Sequence, residues 1–325
     1  MKLPKFMYKE PHSIEEASSL ALQEPSAKIL AGGTDLLVNM KHRAEVPTAV
    51  INIKKIPGMA YIREENGIMR IGALTTLKTI ADSVVIAEKL PALSHAASSV
   101  GSCHHQNMGT VGGNLCQQTR CKYFNQSKWW RSARPLCFKA GGGMCYVSNS
   151  PNTCYATYCG DVAPALLVMN AEVVLTTQGA SRRVPLESIF SGAGKTPLNL
   201  EKGEILTEIL IPGEAAQGFS TYKKSADRKS IDFPIVGAAL WRSHSTGESR
   251  IALTAVHRKP VRTLRLEDSL RGRQLHDLII EAADRLVAKE TQLMTSSIES
   301  LSYKRKLIGM LVRDALGEAA RSQLQ

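Results

Sequence analysis

The sequence predicts an α+β protein in two parts, a cofactor-binding domain to about residue 216 and a smaller α+β domain over 217–325. Three observations carry that expectation. Two paired-glycine segments, AGGTDLL at 31–37 and TVGGN at 110–114, sit where short apolar runs turn, and suit a backbone that must come close to a phosphate. All seven cysteines fall between Cys103 and Cys159, most of them in one polar, turn-rich stretch after the second glycine pair. Beyond residue 212 the pattern changes to strand-like runs followed by two amphipathic helices.

Taken in order, Ser13 reads as an N-cap with Glu16 three positions on, a capping box that opens a helix through PHSIEEASSLALQE. A short strand at 27–30 leads into the first glycine pair, and AVINI at 49–53 forms another, closed by Pro57-Gly58. These make a first lobe of about 1–58. A second lobe, 59–216, opens with a strand near 69–73 and helices around 76–88 and 91–100. It resumes with a helix from Asp161 to Asn170, then strands at 171–177 and 204–212. Between its halves, residues 115–160 show no sustained periodicity, and a loop of that length is uncommon unless something orders it. In the last part, a strand carrying Tyr222 and Lys224 precedes strands at 235–243 and 250–257. Helices around 266–289 and 298–320 follow, with apolar stripes marked by Leu278, Ala282 and Leu286 and by Leu307, Met310, Leu311 and Ala315.

The formal charge of +12 does not point to nucleic acid, because the basic residues are dispersed and no zinc-finger spacing or helix–turn–helix signature is present. It suits instead a basic face that attracts an acidic redox partner. No apolar run is long enough to span a bilayer, and the N-terminus lacks an apolar h-region, so the expectation is a soluble cytoplasmic protein without a membrane partner. Cysteines confined to one segment do not fit the framework of a disulfide-stapled domain. In a reducing compartment, clustered thiols ligate metal or do redox chemistry.

The glycine segments lack the GxGxxG dinucleotide fingerprint, but successive N–H groups at each, with the Thr34 and Thr110 hydroxyls, suit a pyrophosphate. AGGTDLL, GTVGGNLCQ, GDVAPALLV at 160–168 and YKRKLIGMLVRDAL at 303–316 together resemble the FAD-binding subunit of the xanthine oxidase family of molybdenum hydroxylases. The resemblance covers essentially the whole chain. It implies a two-lobed FAD-binding domain of the vanillyl-alcohol-oxidase (PCMH) type, followed by a C-terminal domain like that of carbon monoxide dehydrogenase flavoproteins. It also implies that Ile29, Leu30, Ala31, Gly32, Gly33, Thr34, Asp35 and Leu36 wrap the flavin pyrophosphate, with Thr110, Gly112, Gly113 and Asn114 as the second loop. Asp161 would face the ribose or adenine side, and Lys224 would approach the isoalloxazine. Read without the family, Asp161 is a helix N-cap and Lys224 a surface charge.

The segment after TVGGN is longer than in most members of that family and resembles the extra segment of the medium (beta) subunit of 4-hydroxybenzoyl-CoA reductase. That likeness implies a 4Fe-4S cluster on Cys121, Cys137, Cys145 and Cys154, one thiolate per iron. Zinc is the chemical alternative for four cysteines. Cys103, Cys116 and Cys159 are surplus; Cys116 and Cys159 are the nearest replacements if a ligand is wrongly assigned. Trp129, Trp130 and Tyr123 are expected to shield the cluster. No residues suggest a molybdenum site, a 2Fe-2S motif or a CoA pocket. The resemblance assigns these to a small 2Fe-2S subunit and a large molybdenum-cofactor subunit, in a dimer of heterotrimers fed by a ferredoxin. Two other readings stand beside this one: the flavin subunit of an aldehyde-oxidising hydroxylase, and a zinc-stabilised basic binding module.

Overall fold

The computed structural model describes residues 2–322. The first lobe is a small parallel sheet of β1 (Met7–Lys9), β2 (Lys28–Leu30) and β3 (Ala49–Asn52) in the order β1-β3-β2. Helix Ile14–Gln23 makes the crossover from β1 to β2. Its cap is the one the sequence predicts on one side only. Ser13 Oγ accepts from Glu16 N at 3.2 Å, whereas Glu16 Oε2 accepts from His12 N at 2.8 Å, one residue before the cap.

The second lobe is a five-stranded antiparallel sheet of β4 (Ile62–Glu65), β5 (Ile68–Gly72), β6 (Glu172–Thr176), β7 (Ser181–Pro185) and β8 (Ile205–Pro212), ordered β4-β5-β8-β6-β7. The sequence pattern did not reveal β4 and β7. Both are edge strands, and their IREE and SRRVP carry the charges that blunt exposed edges, so the apolar alternation is missing. The helix expected over 76–88 is two helices, Leu77–Asp82 and Val84–Lys89. Ser83 leaves helical geometry between them (ψ 116°) and caps the second through Ile86 N.

The C-terminal domain is an antiparallel sheet of β9 (Gly218–Ser225), β10 (Val236–Ser243), β11 (Ser249–Thr254) and β12 (Val261–Arg262), covered by helices Leu264–Leu270 and Leu301–Ser322, with helix Asp277–Glu290 packed on both helices. Gly272, at φ +68°, lies in the break that splits the predicted 266–289 helix. The buried stripe of Asp277–Glu290 is Ile280, Ala283 and Val287, rotated from the expected one, and Leu278 is exposed. On the last helix Leu307, Leu311 and Ala315 are buried as expected, and Met310 is not. Helix Val162–Val168 is buried throughout and joins the second lobe to β10 and β11, so the two parts of the chain share apolar surface. No helix among the described residues is long and apolar enough to cross a membrane.

Candidate functional site

The glycine loop after β2 and the loop around Thr110 face each other across a cavity of about 500 Å³, within the range of cofactor sites. The approach is close. A Cβ on Gly32 would lie 2.0 Å from Met108 O, and one on Gly112 would lie 2.8 Å from Ala73 Cβ. Only Gly33 uses the left-handed region, at φ +74°. Gly112 and Gly113 do not, because TVGGN is not a strand turn: it is the start of a short helix, Val111–Leu115, capped by Thr110. The expectation of N–H groups presented by both loops is corrected accordingly. Those of Val111, Gly112 and Asn114 are taken up by Thr75 O, Ala73 O and Thr110 O, and that of Gly113 by Thr110 Oγ1 at 3.1 Å. The N–H groups of Gly32, Gly33 and Thr34 donate to no backbone carbonyl among the described residues. The first loop therefore offers donors, and the second offers room.

Ile29 to Leu36, Thr110, Gly112, Gly113, Asn114 and Asp161 all line this cavity. Lys224 does not. It stands behind Asp161, with Nζ 3.2 Å from the carboxylate and donating to Ser99 O and Asp232 O at 2.9 Å each. Asp161 occupies the N-cap position of Val162–Val168 without capping it; its oxygens accept from Lys224 and from Tyr222 Oη at 2.7 Å. Burial pushes the Asp161 carboxyl up to about 6, against the pull of Lys224. Lys224 is thus a strut for Asp161, and neither the cavity-facing cation nor the surface charge expected from the sequence.

Sequence reasoning missed Arg120. Its guanidinium is 2.6 Å from Asp35 and stacks on Phe233 at 4.1 Å, and all three residues line the cavity. The Nε of Arg120 and the Oε1 of Gln118, both on this wall, are buried without partners. Unspent donors, a free acceptor and the paired glycines fit a polar, phosphate-bearing ligand with an apolar ring system, the chemistry of FAD.

One residue past Arg120 the chain enters a second, much smaller cavity lined by Cys121, Cys137, Cys145 and Cys154. Its other walls are Tyr123, Phe124, Phe138, Lys139 and Tyr146. Of the expected shielding aromatics only Tyr123 is there; Trp129 is 84% exposed. The segment carries one short helix, Lys128–Ser132, a 3-10 turn at Phe138–Ala140 and isolated bridges, and side chains clasp it to its surroundings. Asn125 ties Cys121 N to Asn39 of the flavin-side wall, at 2.9 and 3.0 Å. Ser296, from the C-terminal domain, donates to Arg120 O at 2.6 Å and accepts from Thr157 N at 3.1 Å. The Lys139 ammonium is bound by Thr119 O at 3.1 Å, and burial pushes it down to about 8. Burial also pushes the Cys121 thiol up to about 11, so without a metal it stays protonated at neutral pH.

All seven cysteines are free thiols. Cys116 and Cys159 line the flavin-side cavity, which removes them as substitutes for the outer four, and Cys103 is exposed. No three His, Cys, Asp or Glu side chains among the described residues are grouped tightly enough to hold a single metal ion. Four thiols around one cavity are the donor set that a cubane takes, one thiolate to each iron.

Known proteins match both parts of the chain. A family model described as the FAD binding domain in molybdopterin dehydrogenase matches residues 4–214, and one described as the CO dehydrogenase flavoprotein C-terminal domain matches 220–319. The chain belongs to this family of FAD-binding oxidoreductase chains. Among curated relatives it is similar to the nicotinate dehydrogenase FAD-subunit of Eubacterium barkeri, 29% identical over 93% of this chain and 92% of that one. It is equally similar to the carbon monoxide dehydrogenase medium chain of Hydrogenophaga pseudoflava, 29% identical over 97% of each. The aldehyde oxidoreductase FAD-binding subunit PaoB of Escherichia coli (strain K12) is 31% identical over 79% of this chain and 83% of its own. A solved structure of the Hydrogenophaga pseudoflava carbon monoxide dehydrogenase lacking the Mo-pyranopterin moiety superposes with TM-score 0.80 over 99% of both chains, at 28% identity.

Proposed function

We propose that this chain is the electron-transfer subunit of a molybdenum enzyme of the 4-hydroxybenzoyl-CoA reductase type, holding FAD in the larger cavity and a 4Fe-4S cluster on Cys121, Cys137, Cys145 and Cys154. The observation that carries the reading is the convergence of these four thiols, up to 33 positions apart (154 − 121) in an aperiodic segment, on one cavity beside the flavin site. When bound, the cluster supplies single-electron transfer and FAD joins it to two-electron chemistry. The pair would link a ferredoxin-type donor to a small 2Fe-2S subunit and a large molybdenum-cofactor subunit, where a phenolic hydroxyl is removed reductively.

The chain's own residues have definable parts. Gly32, Gly33 and Thr34 have free N–H groups to donate to the pyrophosphate, Gly113 leaves space beside it, and Gly112 lets the second loop pack against Ala73. The Asp35–Arg120 pair fixes the wall shared with the cysteine segment, and Asp161, held by Tyr222 and Lys224, accepts from a ligand hydroxyl. Tyr123, Phe124, Phe138 and Tyr146 keep water from the thiols.

A second reading, the flavin subunit of an aldehyde-oxidising complex, draws on the 31% identity to the aldehyde oxidoreductase subunit. Both readings require iron, so anaerobic purification followed by flavin, iron and sulfide analysis tests what they share. About one FAD and about four irons per chain are expected; flavin without iron in intact protein overturns the cluster. Reduction of 4-hydroxybenzoyl-CoA against oxidation of aldehydes by the assembled complex separates the two.

A further inference from the structure

Between Glu88 and Asp161 the chain contains no aspartate or glutamate, while Lys89, which pairs with Glu64, and Arg120, Lys122, Lys128, Arg131, Arg134 and Lys139 fall in this stretch. Their placement divides them. Arg120 is paired with Asp35, Lys139 is buried against Thr119, and Arg131 is partly buried with its guanidinium on His42 O and Gln126 O. Lys128 and Arg134 are exposed and have no acidic partner among the described residues.

These free cations surround an apolar surface. Trp129 is 84% exposed, Leu136 54% and Met144 45%. The surface is continuous and thin over the thiols. Arg134 lies 4.3 Å over Trp130 and 5.7 Å over Tyr123, and Tyr123 meets Tyr146 edge-on at 5.7 Å. Tyr146 Oη donates to Pro135 O, and Phe138 N donates to Met144 O, which ties the stretches of chain that carry Leu136 and Met144 together. Tyr123 and Tyr146 are themselves walls of the cysteine cavity, so one aromatic layer separates it from the exposed face. A tryptophan and arginine centre with a basic rim is the composition of a protein-binding hot spot.

We infer that the face formed by Lys128, Trp129, Arg134, Leu136 and Met144 docks an acidic protein electron carrier. The inference rests on the cluster reading above and names where its partner binds. Charge complementarity selects the partner: a face built by a segment that contributes cations and no carboxylate attracts a small protein of net negative charge and repels a basic one. Docking there would bring the carrier within one aromatic layer of the thiols, where a cluster held by Cys121, Cys137, Cys145 and Cys154 would accept the one electron that the reduced carrier gives up.

The test is binding of an acidic ferredoxin to the assembled complex, followed by calorimetry and by Trp fluorescence, with iron and flavin measured on every preparation. The wild type is expected to bind with an affinity that falls as salt rises, and not to bind a basic carrier of similar size such as cytochrome c. Lys128→Glu with Arg134→Glu should weaken binding roughly 10-fold or more at low salt with iron and flavin unchanged. Trp129→Ala, which removes no charge, should weaken it while keeping the salt dependence. Binding insensitive to salt and to both variants overturns the inference. So does failure of the charge-reversed chain to assemble with its partner subunits, since the face would then be an internal interface. An iron-free chain that still binds the acidic carrier in this way supports the face and overturns the cluster; an iron-loaded complex that binds no carrier does the reverse.

Discussion

The flavin cavity and the cysteine cavity adjoin, yet they are built in different ways. The first is walled by a parallel strand and a capped helix, Val111–Leu115, whose own backbone N–H groups are all taken up without any ligand. The second lies in a segment whose regular structure amounts to one five-residue helix, one three-residue 3-10 turn and isolated bridges. Its positions are set by local turns and by side-chain clasps such as Asn125 to Asn39 and Ser296 to Thr157. Segments with little regular structure open at low free-energy cost. On the cluster reading, a preformed site sits against one whose order would depend on the bound metal, because metal-binding energy is folding energy in such a segment.

The sharpest way to break the preformed half is at Gly32. A valine side chain there meets Met108 O, a backbone atom that cannot swing aside, so Gly32→Val should destabilise the chain by about 3 kcal/mol or more and abolish flavin binding. Thermal unfolding and flavin content measure both. Gly113 differs: its Cβ would meet only the Thr110 hydroxyl, at 2.9 Å, and Ala31 beyond it. Gly113→Val is therefore expected to remain folded and lose FAD. Unchanged flavin would show that this loop does not approach the ligand.

On the cysteine side, Cys137→Ser should lose or convert the cluster while much of the FAD remains, because Cys137 touches only the smaller cavity. Activity with an artificial donor that reduces flavin directly should survive better than activity with ferredoxin. Equal loss with both donors would place the cluster on the internal route or make it structural.

Asp161 and Lys224 give a smaller, pH-dependent effect. The folded carboxyl titrates near 6, above its ordinary 3.8, so the native chain keeps a proton that the unfolded chain releases. The stability this contributes is present below about pH 4 and is lost as pH rises through about 6. Lys224→Met removes the cation that opposes the rise, so the loss extends to higher pH. The variant should be less stable by about 3 kcal/mol at pH 8 and by clearly less at pH 5. Equal destabilisation at the two pH values would mean that the pair is not coupled. Least of all, Trp129→Ala should change stability by no more than about 0.5 kcal/mol, since the indole is exposed. A larger loss in denaturant titration would mean that it does shield the thiols.

What could be read from the sequence follows the same division. Ser13, the strands at 27–30 and 49–53, and the residues of both glycine loops were legible because local rules govern caps, apolar runs and glycine turns. The role of the second loop was not: whether paired glycines supply donors or room depends on Ala73 and Thr75, far away in the chain. Lys224 was misplaced for a related reason, since a strand position fixes which face a side chain takes but not that Ser99, Asp161 and Asp232 converge on it. Arg120 and Ser296 left no local signal, because each acts through tertiary contacts only. On helix Asp277–Glu290 several apolar residues allow more than one stripe, and the neighbouring helices Leu264–Leu270 and Leu301–Ser322 select Ile280, Ala283 and Val287.

Hydrogen exchange on the intact chain, before and after iron is removed anaerobically with a chelator, tests the contrast between the two sites most directly. The account predicts that residues 29–36 and 110–114 keep their protection while 120–155 lose theirs, with flavin still bound. Protection of 120–155 that is indifferent to iron would contradict it.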